Sequence, residues 1–292
     1  MKRRQLDKSI GIMLGISLSL TIIGGMLIAF MFVGGLVFIE GTPQKNMEQM
    51  VTIAENYENI ETVELNIRTE NVRIIPSGTN NLTMKYEGSK EYNLKEKNGN
   101  LEISEVEYMM LRSRGWKLGW FARDEGMETI EIGLPSQITA LKINAGVGTV
   151  LLEKITTNTL DIDAGVGTVI LKDSQIDTSL NIKSSIGNVE LTRITGGPKL
   201  SIEGGVGEVL VDEIGPVEAK ISSGVGRIKI NHMVTDYMEI NSGIGTIEIN
   251  NSKILKFKSD DDFRRVDIVN SEVSEYIGRS ITNATDISRR DN

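Results

Sequence analysis

The 292-residue chain has no cysteine, so disulfides, thiolate metal sites, a cysteine nucleophile and a lipidated N-terminal cysteine are all excluded. It has one histidine, His232, placed in an apparent turn, where an imidazole is ordinarily a solvated side chain. Proline is scarce, at 5 residues against 30 glycines, and the glycines lack the three-residue period of collagen. Glycine must therefore punctuate something regular. Basic residues are also few outside the N-terminus. Lys2, Arg3, Arg4 and Lys8 against Asp7 give residues 1–9 a net charge of +3, leaving 28 of the 32 basic and 39 of the 40 acidic residues for the rest. A chain that acidic has no basic stripe to neutralise phosphates, which excludes nucleic acid as a general partner.

What is present begins with Ile10–Ile39, 30 residues without a charge. At ~1.5 Å per residue this exceeds one ~30 Å hydrocarbon crossing and is too short for two. A cleaved signal peptide would need an apolar region of about 7–15 residues and a small-x-small site, whereas the block ends Val37-Phe38-Ile39-Glu40. The expectation is a retained single-pass transmembrane helix over 10–39, with the basic residues 1–9 cytoplasmic and everything after Glu40 extracellular. Gly11 and Gly15 have the small-xxx-small spacing that allows helices to approach, so a homo-oligomer through the anchor is one partner reading.

The most informative signal is a repeat. Leu141-Lys-Ile-Asn-Ala-Gly-Val-Gly-Thr-Val-Leu-Leu152 recurs in six versions, with the central Val or Ile at 147, 166, 186, 206, 225 and 244. The unit is short, β-branched and glycine-rich, which excludes helical repeats. Leu141, Ile143, Ala145 and Val147 alternate at period two and are read as one inward face. After Gly148 the parity shifts by one, which requires a turn or bulge that glycine permits. Gly146, Gly148, Gly165, Gly167, Gly187, Gly205, Gly207, Gly224, Gly226, Gly243 and Gly245 are therefore assigned as structural corners. Ile155, Ile194, Ile214 and Met233 suggest a third inward position that Ser174 and Ser252 break. The predicted fold is an all-β parallel β-solenoid, one coil of about six 19–20-residue rungs over 136–270.

Around it, residues 40–58 read as a polar stalk, helical near Met47–Tyr57. Residues 59–135 read as an irregular β cap, and 271–292 as a polar tail. Leu255-Lys-Phe257-Lys-Ser259 starts a degenerate capping rung in which Asp260-Asp261-Asp262 replace the glycines. Within the cap, 108–123 holds both tryptophans. Trp116, Trp120 and Phe121 with Arg112, Arg114, Lys117 and Arg123 have the chemistry of a bilayer interface or a protein contact. They are candidate contacts to lipid headgroups or an envelope protein; covering the open end of the rod is the plainer reading.

The strands from Ile67 to Pro76, the lead-in Ile130-Glu-Ile-Gly-Leu-Pro135 and the six small-Gly-x-Gly corners resemble the toast-rack, adhesin-labelled domain family of LiaG-like envelope proteins, over about 60–270. The resemblance implies an envelope-associated binding or scaffold module linked to envelope stress, with no catalytic residues and no cofactor. The 108–123 insertion departs from the family pattern. From the residues themselves no enzyme is expected. The corners lack the Gly-Lys-Ser/Thr of a phosphate loop, Val209 stands where a calcium repeat needs Asp, and Asp161 and Asp163 share a solvated face. An adhesin or glycan binder, or a self-assembling rod, are the alternatives.

Overall fold

A computed structural model describes residues 51–88, 90–106, 128–136, 138–259 and 266–277, all within the second of two compact units, Gln49–Asn292. In chain order its strands are β1 Val51–Glu58, β2 Thr62–Thr69, β3 Asn71–Pro76, β4 Asn81–Gly88, β5 Tyr92–Lys97, β6 Asn100–Glu105, β7 Thr129–Leu134, β8 Ala140–Glu153, β9 Thr156–Thr195, β10 Lys199–Ile214, β11 Glu218–Asn231, β12 Val234–Asn250, β13 Lys253–Ser259, β14 Val266–Val269 and β15 Glu272–Ile277. Strands as long as the 40-residue β9 run through corners and span more than one rung.

The chain is a parallel β-solenoid of about seven turns. Each rung stacks on the next in register: Ile143 on Ile162, Ile182 on Ile202, Ile202 on Ile221, Ile221 on Ile240. Period-two alternation turns Leu141, Ile143 and Ala145 inward, while Val150 and Leu152 do the same beyond the corner. Repetition makes these positions continuous dry columns of Leu, Ile and Val, each fully buried aliphatic contributing about 1.5–3 kcal/mol.

A second corner in each rung was not anticipated. Lys154, Asp173, Arg193, Glu213, His232, Asn251 and Asn270 all have φ between 49° and 57°, a left-handed conformation unusual outside glycine. The residue after each is buried: Ile155, Ser174, Ile194, Ile214, Met233, Ser252 and Ser271. Ser174 and Ser252 therefore do not break the third inward column. The Ser252 hydroxyl donates to the Asn250 carbonyl at 2.8 Å and accepts the Met233 amide at 3.1 Å, and Ser174 does the same with Lys172 and Ile155. A buried serine is admissible there because it supplies two hydrogen bonds at the turn. His232 is exposed in this turn, with Nδ1 2.8 Å from Asp212 Oδ1, and Asp161 and Asp163 face solvent.

The ends differ from expectation. β2 and β3 form a full rung under β8, and β6 and β7 stack parallel on β2 and β3 as another. The cap is thus partly solenoid. Antiparallel β4 covers β7, and β5 covers β6. Residues 51–58 are not a helical stalk. They form β1, antiparallel to β4, where pairing hides an edge that would otherwise template association. At the other end β13 and β14 continue β12 in register. β15 then opens a further rung against β13, so 272–277 are strand rather than tail. Phe257 is buried there beneath Tyr276, whose hydroxyl is 2.6 Å from Ser259. Among the described residues no helix is long and apolar enough to cross a membrane. The expected anchor 10–39, Asp260–Asp262 and the tail beyond 277 lie outside the described residues.

Candidate interaction surface

The glycine corners stand where the repeat puts them, for a steric reason. A Cβ on Gly167 would overlap the carbonyl oxygen of Gly148, and one on Gly187, Gly207, Gly226 or Gly245 would overlap that of the glycine one rung before. Gly148, Gly167, Gly187, Gly207 and Gly226 also have φ between 138° and 148°, which a side chain resists. Gly165, Gly205, Gly224 and Gly243 abut the carbonyl of the rung beneath in the same way, and Gly146 abuts that of Arg68.

The central residue between those glycines is not in the core. Val166, Ile186, Val206, Val225 and Ile244 are 45%, 54%, 50%, 44% and 70% exposed, and Val147 is half-buried. The expected inward face stops at Ala145 and its equivalents. Flanking glycines let the backbone bulge outward over the whole corner, so the change of parity is spread across it rather than placed at Gly148. The result is an aliphatic row on the outside of the rod, bordered on each side by columns almost free of side chains, Ser185 being the exception. Asn71 and Asn188 stitch this irregular backbone together, their Oδ1 atoms accepting the Thr149 amide at 2.9 Å and the Glu208 amide at 3.0 Å. Beyond the glycines that follow Val206 and Val225 stand Glu208 and Arg227, 3.8 Å apart, with Arg227 also 3.8 Å from Glu248.

At the N-terminal end Thr69 pairs with Val147, so Arg68-Thr69-Glu70 replaces Gly-Val-Gly. Here the corner turns inward onto polar groups. Glu70 is 1% exposed. Lys90 Nζ lies 2.9 Å from its Oε1 and 3.3 Å from Glu105 Oε1, and donates to Thr69 Oγ1 at 2.6 Å. The Tyr92 hydroxyl donates to Glu70 and the Tyr86 hydroxyl to Glu128, with the two rings edge-on at 4.8 Å. Burial raises the Glu70 carboxyl above the usual carboxylate range, opposed by the hydrogen bonds from Tyr92 and Lys90. Burial and the adjoining carboxylates push both phenols far up. With the buried Glu70 carboxylate held by Lys90 and Tyr92, this is a clasp that fastens the first corner.

β6 and β7 stack on β2 and β3 in the outermost rung. Residues 107–127, including Arg112, Arg114, Trp116, Lys117, Trp120, Phe121 and Arg123, lie outside the described residues. Their neighbours are held: Glu105 accepts the Arg68 amide at 3.0 Å, and Glu128 accepts from Tyr86. The sequence reading missed the clasp, whose members are scattered over 69–128 without a motif, and missed the outward row, for which the paired glycines were the available signal. Two depressions, of about 880 and 350 Å³, lie on the outer faces of β2, β8 and their neighbours and are lined by mixed charges such as Lys142, Asp161 and Glu203. Among the described residues no group of three or more His, Cys, Asp or Glu could hold a metal.

A family model described as Toastrack DUF4097 matches residues 60–264. No curated protein matches. A crystal structure of a candidate cell adhesion protein from Clostridium sporogenes is similar at 17% identity and TM-score 0.38, over 69% of this chain and 99% of that one. A candidate adhesin from Parabacteroides merdae is similar at 14% identity and TM-score 0.48, over 80% and 95%.

Proposed function

Since the chain belongs to the Toastrack DUF4097 family, we propose that its solenoid is a non-catalytic interaction module, held outside the cytoplasm by the 10–39 segment and serving envelope scaffolding or stress sensing. The observation that carries this is the outward aliphatic row Val166–Ile244, a linear apolar surface that the fold does not use internally. The uncharged 30-residue block and the basic N-terminus support the tether. The Trp116, Trp120 and Phe121 segment, by its aromatic and basic composition, supplies a second contact to protein or lipid headgroups.

A photo-crosslinking residue at Val206 in the full chain, expressed in intact cells, tests the surface. Capture of envelope membrane components supports the module, and absence of any adduct removes it. Added protease should digest the solenoid of intact spheroplasts. A protected solenoid would contradict the orientation.

A further inference from the structure

Val147, Val166, Ile186, Val206, Val225 and Ile244 repeat an aliphatic side chain outside the rod, although no packing need accounts for it. Strand propensity would be met as well by threonine, which stands nearby at 149, 168 and 246. One kind of occupant fits the spacing. Rungs recur every ~4.8 Å, so the row is about 24 Å long; an extended chain laid along it presents same-face side chains every ~6.7 Å and falls out of step. A helix, with its ~5.4 Å pitch, drifts more slowly but also loses register. A second copy of this solenoid has the same step throughout.

Shape and charge agree with the period. The column Gly148, Gly167, Gly187, Gly207, Gly226 and Gly245 runs beside the row without a side chain, which leaves its backbone open to close approach by an equivalent row. Glu208 and Arg227 stand beside this column on consecutive rungs, and within one chain Arg227 makes only long contacts, 3.8 Å to Glu208 and 3.8 Å to Glu248. A two-fold axis between those rungs sets each Glu208 opposite the partner's Arg227 and each Ile186 opposite the partner's Ile244, so that the four row residues from Ile186 to Ile244 make the contact. We propose that two copies pair side by side, antiparallel, through this row, each aliphatic row lying against the other's glycine column. This deepens the contact-surface reading and rests on it. A row of a few half-exposed aliphatic side chains is a single small patch, short of the ~800 Å² per partner of a standard stable interface. The pairing is accordingly weak and concentration-dependent.

Absence of cysteine makes the test clean. Val206→Cys in the full chain, treated in cells with a short bis-maleimide, should give a dimer that Val217→Cys, 55% exposed but off the row, does not. Adding Val225→Asp and Ile244→Asp, both at exposed positions, should abolish that dimer while the melting temperature is kept. Monomer only, or equal dimer from both cysteines, overturns the pairing. If Val206 then crosslinks to other envelope components, the contact surface stands without self-pairing; if it crosslinks to nothing, both fall.

Discussion

Two columns of β-branched residues run the length of this rod three positions apart and meet opposite fates. Val169 and its equivalents Val150, Val189, Val209, Ile228 and Ile247 are at most 2% exposed, whereas Val166, Ile186, Val206, Val225 and Ile244 are 44–70% exposed. Residue type does not separate them. What does is the glycine on either side of the outer column, Ser185 before Ile186 excepted. Hydrophobicity therefore names the candidates for a core, while the path of the backbone through the corner decides which of them enter it.

The largest effect should come from placing a charge in each column. Val169→Asp buries an unpaired carboxylate, a cost of several kcal/mol, and should abolish the cooperative thermal transition followed by circular dichroism. Val166→Asp should change stability by no more than ~0.5 kcal/mol. Equal losses would merge the two columns and remove the outward row.

Next comes glycine against glycine. Gly167→Ala forces a methyl onto the Gly148 carbonyl at φ 145° and should cost about 3 kcal/mol or more in denaturant titrations. Gly204→Ala meets Val209 Cγ2 at 3.3 Å and the Ser222 carbonyl oxygen at an ordinary 3.4 Å, at a position filled by Ala164 and Ser184 in earlier rungs. It should lie within ~1 kcal/mol of wild type. At the left-handed corner, Ser252→Ala strands the Met233 amide, while the Asn250 carbonyl keeps the His232 amide, and should cost about 1–3 kcal/mol.

The smallest effect contrasts two carboxylates through pH. Burial raises the Glu70 pKa, so the folded state holds that proton more tightly than the unfolded chain. Its contribution improves as pH falls from Glu70's raised pKa to the ordinary carboxylate value. The hydrogen bond from Lys258 lowers Glu239, whose contribution is present above the ordinary value and lost as pH falls through the lowered one. Over an acid titration of stability, wild type should gain on Glu70→Gln and lose its advantage over Glu239→Gln. The same trend for both would contradict the clasp.

Much of the rod was legible because repetition amplifies a weak local signal. Six copies of one alternation located the glycines, the rung length and the inward residues Leu141, Ile143, Val150 and Leu152. The outward row was misread because alternation carries a face only along unbroken strand, and the corner breaks it between Ala145 and Val150. The N-terminal rungs were hidden for another reason. β6 and β7 make one rung from pieces separated by residues 106–128, and no glycine corner marks them. Glu70, Lys90 and Tyr92 come together only because three different strand ends converge at the first corner. Val51–Glu58 gave no clear period, and its strand exists by pairing with β4.

The chain's own order of residues determined the period, the all-β character and the need for glycine at each corner, since these follow from side-chain alternation and the absence of a Cβ. Stacking decided the rest. How far each corner bends, and so which side of Val166 meets water, is set by the carbonyl oxygens of the rung beneath. That contact exists only after two distant segments have been laid in register.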